Sequence, residues 1–161
     1  MKMPPKVASW LQFKLYLITL SGYSADLFTC AEFGELNNDP RFRWQFVVDM
    51  IYRGIQCGLM SVWDGRQQRP LGEQTLALVK ELAQFDPDSD SESSLGCWVG
   101  PEIDASELCH ALIKKFDVQR FELGEICIPF IEEIEALFDR NGVSWSDAPL
   151  IELESGAAAQ S

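Results

Sequence analysis

In the stretch RFRWQFVVDMIYRGIQCGL, residues 41–59, the side chains of Phe42, Phe46, Val47, Met50, Ile51, Ile55 and Leu59 recur at steps of three and four. With 3.6 residues per helical turn, that spacing lines them along one stripe, which other elements must cover. Arg43, Asp49, Arg53 and Gln56 fall off the stripe and are expected on the solvent side. Asp39 and Pro40 supply an N-cap and a first helical residue. Gly54 costs about 1 kcal/mol relative to Ala inside a helix, which suits a close crossing by a second helix.

The same period recurs elsewhere. Residues 6–21, with Val7, Trp10, Leu11, Leu15, Ile18 and Leu20, read as a helix apolar almost all round and therefore central. Residues 73–84 turn Leu76, Val79, Leu82 and Ala83 to one face. In 104–116, Asp104 is the expected N-cap and Glu107 its capping-box partner, with Leu108, Ala111, Leu112 and Phe116 toward the core. A last helix starts near Pro129, carries Phe130, Ile131, Ile134, Leu137 and Phe138, and stops at Asn141-Gly142. Weaker signals mark a short helix from about Asp26 to Phe33, closed by Gly34, and an extended MSVWDG (60–65) ending in an Asp-Gly turn. VQRFEL (118–123) and PLIEL (149–153) read as strands or extended connectors. The expected fold is mainly α, a compact single-domain bundle of four to six helices with at most a small two- or three-stranded sheet. It covers residues 1–154, and residues 155–161, with nothing to pack, are expected to form a flexible tail.

Composition narrows the class. A chain of 161 residues fits one domain and buries roughly 68–70% of its unfolded surface. An apolar share of 47% with 24% charged residues is that of a globular protein, not a disordered one. Charge is the unusual quantity: residues 1–80 hold nine basic and seven acidic side chains, whereas 81–161 hold four and eighteen, leaving −12 overall. A surface of that sign disfavours nucleic acid and suits a basic partner. VASWLQFKLYLITL (7–20) is too short to span a bilayer, is broken by Gln12 and Lys14, and precedes no A-x-A cleavage pattern. The cysteines at 30, 57, 97, 109 and 127 form no C-x-x-C and fit reduced core thiols of a cytoplasmic protein.

FDPDSDSESSLGCW (85–98) sets Asp86, Asp88, Asp90 and Glu92 at alternate positions. This begins like an EF-hand loop, but position 6 is Ser91 instead of Gly and position 12 is Cys97 instead of a bidentate acid. A solvated, mobile loop or a contact for a basic surface is expected instead. Glu132, Glu135 and Asp139 share a helix face opposite the apolar stripe and read as solvated carboxylates open to binding. Trp44, beside Arg43 on the polar side of its helix, is an interface anchor or a side chain packed under a neighbouring loop. The lone His110 follows Cys109, about 100° away around a helix, and no second Cys/His cluster completes a zinc site. Phosphate-binding and nucleophile-elbow motifs are missing, so the residues point to no catalytic centre, metal or cofactor.

FRWQFVVDMIYRGIQCGLMSVWDG (42–65) resembles a pattern of bacterial immunity proteins, the small antitoxins that guard against contact-dependent or secreted polymorphic toxins. Their pattern joins an aromatic-rich amphipathic helix, through a Gly-Leu exit, to a short aromatic strand. DASELCHALIKKFD (104–117) and PFIEEIEALFDRNG (129–142) are similar to them in acidic helical character. The resemblance implies a cytoplasmic protein without an active site, whose partner is a toxin domain, with oligomeric state left open. Nuclease toxins are basic because they hold phosphates, so an acidic inhibitor associates fast. The competing classes are an adaptor or chaperone pairing through its apolar N-terminal helix, and an enzyme using His110, Cys109 or the glutamate face.

Overall fold

Pro4 and Pro5 open the first helix, where a missing N–H costs nothing. The computed structural model describes residues 1–29, 37–64, 69–70 and 75–154. Helix α1 (Pro5–Leu20) buries Val7, Ala8, Trp10, Leu11, Leu15 and Ile18 as its composition requires. Its two polar interruptions are buried too. Gln12 donates to the Glu125 carbonyl at 3.0 Å and accepts from the Cys127 amide at 2.8 Å, while Lys14 donates to the Leu27 carbonyl at 3.3 Å. They fasten two irregular segments to the central helix.

After strand β1 (Tyr23–Ser24) comes a 3₁₀ turn at Ala25–Thr29, in place of the start of the helix expected from Asp26; the rest of that expectation lies outside the described residues. Helix α2 (Pro40–Gln56) starts as expected, with Asp39 accepting from the Arg41 amide at 3.0 Å. Its solvent side is a correction: Asp49 and Arg53 are buried, because the C-terminal segment crosses that side of the helix. Leu59 N–H donates to the Gly54 carbonyl at 2.8 Å around Gly58, whose φ of +67° a side chain would resist. Gly142 ends α6 (Ile128–Arg140) by the same geometry, with φ +72° and Val143 N–H on the Phe138 carbonyl at 2.9 Å. Close approach at Gly54 is real but comes from a strand residue: a Cβ there would lie 2.4 Å from Met60 Sδ.

The small sheet runs β1-β4-β2-β3, all antiparallel, with β2 at Met60–Asp64, β3 at Arg69–Pro70 and β4 at Glu102–Ala105. Val62 faces Ile103 and Met60 faces Ala105 in the register, so Met60, Val62 and Ile103 enter the core together. The mainly helical class with a small sheet therefore holds, the sheet having two strands of only two residues. Asp104 lies in β4, so the cap of α5 (Glu107–Lys115) passes to Ser106, which accepts from the Cys109 amide at 3.2 Å. Leu108 and Ala111 of α5, and Leu76 of α3 (Thr75–Gln84), are exposed instead of core-facing. Residues 118–120 form a 3₁₀ turn, and 149–153 join no ladder and bend at 150 and 151, in place of the strands or extended connectors expected. One buried apolar cluster runs from Met3 to Leu153 and joins the six α-helices of the described residues to the sheet.

Candidate functional site

The acidic segment is more ordered than its composition predicts. Asp86 accepts the Asp88 amide at 2.8 Å, an Asx turn, and Ser91 accepts the Ser94 amide at 3.2 Å as N-cap of α4 (Glu92–Trp98). Buried Ser94 donates to the Asp86 carbonyl at 2.6 Å, and Trp98 Nε1 donates to the Phe85 carbonyl at 2.7 Å. Two side chains of α4 thus tie the loop to that helix. Asp88, Asp90 and Glu92 are exposed and Asp86 is half-buried, and among the described residues none has a Lys or Arg nitrogen within 4.0 Å. Glu92 also occupies the first turn of α4, where the helix dipole favours a carboxylate.

Where α3 meets α4 the surface opens into a groove of about 790 Å³. Phe85, Leu95 and Val99 line it, with Cys97 beneath and Glu81 and Glu92 as its charged members; no Lys or Arg is among the lining residues. Leu95 and Val99 are each 49% exposed. Burial pushes the Cys97 thiol up to about 12, and the neighbouring Glu81 carboxylate adds to the rise. The acids are legible in the sequence and the groove is not. The signal was present as Ser94, Cys97 and Trp98 at three- and four-residue steps, behind a weak helix former, Ser-Ser-Leu-Gly.

The other candidates resolve differently. Glu132 is exposed, but Glu135 is 7% exposed, because its Oε1 accepts the backbone amides of Lys2 and Met3, both at 2.7 Å. Asp139 accepts Lys2 Nζ and Ser144 Oγ at 2.8 and 2.6 Å, which hold its carboxyl below the usual carboxylate range. The glutamate face is therefore a seat for the N-terminal residues, and the expectation of a fully solvated face is corrected there. Trp44, 2% exposed, donates Nε1 to the Leu82 carbonyl at 2.7 Å. It fixes α2 to α3 and is not an exposed anchor, and Arg43 beside it is half-buried.

A second pocket, of about 730 Å³, is walled by Phe42, Phe46 and Trp145 over Asp49 and Arg53, two residues whose part the sequence hid. Asp49 Oδ1 accepts the Leu150 and Ile151 amides at 3.2 and 3.0 Å, and burial still pushes its carboxyl up. Burial lowers Arg53, and the Asp49 charge partly offsets that. His110 is exposed on α5, while neighbouring Cys109 is 1% exposed and raised by burial to about 12. The two do not form a nucleophile–base pair. Among the described residues no group of three His, Cys, Asp or Glu could hold a metal ion, and no helix is long and apolar enough to cross a membrane.

No family model, curated protein or solved structure matches the chain.

Proposed function

We propose that the chain is a bacterial immunity protein, a cytoplasmic antitoxin that binds and neutralises a basic toxin domain and catalyses no reaction. The observation that carries this reading is the acidic ridge from Asp86 to Glu92, carboxylates held on a pinned loop with no described cation to neutralise them. Holding like charges close costs stability unless a partner uses them, and an acidic surface accelerates encounter with a basic one. The eighteen acids of residues 81–161 set the same sign over that half. An adaptor role through α1 finds less support, since the apolar residues of α1 are spent in the chain's own core. An enzyme built on His110 finds less still, with no activated group beside it.

The test is co-expression with a toxin domain encoded by a neighbouring gene. The parent protects the cell, and raising salt from about 0.05 to about 0.5 M slows association more than it speeds release. Changing Asp88 and Asp90 to Asn and Glu92 to Gln, and Asp86 to Asn so that the Asx acceptor remains, weakens protection without lowering the melting temperature. Full protection by that variant would sink the reading, as would the lack of any neutralised toxin among neighbouring products.

A further inference from the structure

The groove between α3 and α4 adds to the ridge what charge alone does not give, an apolar seat. Phe85, Leu95 and Val99 form that seat, and Leu95 and Val99 remain half exposed. Solvated charge needs no such exposure, and exposed apolar side chains grouped in a concavity mark interaction surfaces. Glu81 and Glu92 stand at it, and the exposed Asp88 and Asp90 lie on the segment leading into α4. A second copy of this chain, at −12, would bring the same sign to a negative groove. Nucleic acid and anionic lipid surfaces are repelled for the same reason.

We infer that this groove is the docking site for a basic amphipathic segment of a partner protein, its apolar side chains seated on Leu95 and Val99 and its Lys or Arg residues on Glu81 and Glu92. This rests on the reading of the acidic half as a protein-binding surface, and it names the place and the chemistry of the contact. Helix-in-groove recognition reads apolar anchors at three- and four-residue spacing, and Leu95 and Val99 present the matching spacing on the receiving side. Gly96 lies between them on α4, and a Cβ there meets nothing within 4 Å. A large side chain at 96 can therefore enter the groove without disturbing the core.

The probe is a fluorescent helical peptide of about 14 residues made of Leu and Lys with Leu at i and i+4. A Lys/Gln peptide of equal charge is the control. The Leu/Lys peptide is expected to shift the Leu95 and Val99 methyl resonances and to bind roughly tenfold more tightly than the control. Gly96→Phe is expected to weaken it by roughly tenfold without lowering the melting temperature, while Gly96→Ala binds as the parent does. Equal binding of the two peptides, methyl shifts confined to other residues, or unimpaired binding by Gly96→Phe overturns the inference. The same variants separate it from the immunity reading. Protection that survives Gly96→Phe but fails when residues 86–92 are neutralised removes the groove and keeps the antitoxin. A groove that takes the peptide in a protein that neutralises no toxin keeps the docking site and removes the antitoxin.

Discussion

Arg53 is 1% exposed, and its guanidinium is bonded on two sides: Nε donates to Val143 O at 2.9 Å and Nη2 to Ser144 O at 3.0 Å. It also lies 5.3 Å from the Trp145 ring centroid and 5.8 Å from that of Phe138. Replacing Arg53 by Met keeps much of the volume but orphans two carbonyls and removes the positive charge that helps Asp49 stay buried. The expected loss is about 3 kcal/mol, read by urea unfolding, with an unchanged m-value if the native fold persists. Asp49 and Arg53 illustrate what periodicity cannot tell. Their positions off the apolar stripe were legible, but the partners that bury them lie some 90 to 102 residues away, so the sequence gives no local sign of them. Trp44 is the same case, since its partner carbonyl belongs to Leu82.

At the scale of elements, two helical glycines with the same intrinsic propensity should respond to Ala with opposite signs. Gly96 in α4 has open space around its missing Cβ, so Gly96→Ala stabilises by roughly 0.5–1 kcal/mol. Gly54 in α2 has Met60 Sδ 2.4 Å from that position, and Met60 is buried, so Gly54→Ala loses roughly 1–3 kcal/mol despite better propensity. Thermal melts of the two variants beside the parent decide it, and a stabilised Gly54→Ala would show that Met60 yields freely. The elements most legible in the sequence were those with long apolar stripes, α2 from its Asp39 cap and α6 to Gly142, whereas the stop of α2 before Gly58 was hidden by a stripe that runs on to Leu59. Elements built by pairing were legible only in part. β4 took Asp104 from the expected helix start because Ser61 pairs with it across the sheet, a contact no local pattern announces.

Over the whole molecule, individual carboxylates respond to acid with opposite signs. The pKa of Asp139 is held below its ordinary 3.8 by the hydrogen bond from Lys2, with Ser144 and the Lys2 charge adding to it. Its contribution is present above 3.8 and is lost as pH falls through the lower folded value. Asp49 is shifted up by burial, so its charge costs stability at neutral pH, and that cost is relieved as pH falls through its folded value toward 3.8. The melting-temperature gap between the parent and Asp139→Asn is therefore expected at pH 7 and closes below pH 3.8. A gap that stays constant down to about pH 2 would mean that the Lys2 contact adds nothing. The comparison is between two proteins because relief of self-repulsion, from −12 at pH 7 toward the isoelectric point near 4.4, acts on both alike.

The strap formed by residues 143–154 reaches back to α2 through Arg53 and Asp49 and to α3 through the Glu154 amide on the Ala83 carbonyl at 3.1 Å. A ribosome adds residues from the N-terminus at roughly 5–20 per second, so the side chains of α2 leave it about 5–20 s before their partners exist. During that interval the bonds of Asp49 to the Leu150 and Ile151 amides and of Arg53 to the Val143 and Ser144 carbonyls cannot form. The nascent chain can collapse around α1, α2 and the sheet, yet two charges stay hydrated at the surface that the strap will later cover. Burial of this pair thus waits on the translation of residues 143–151.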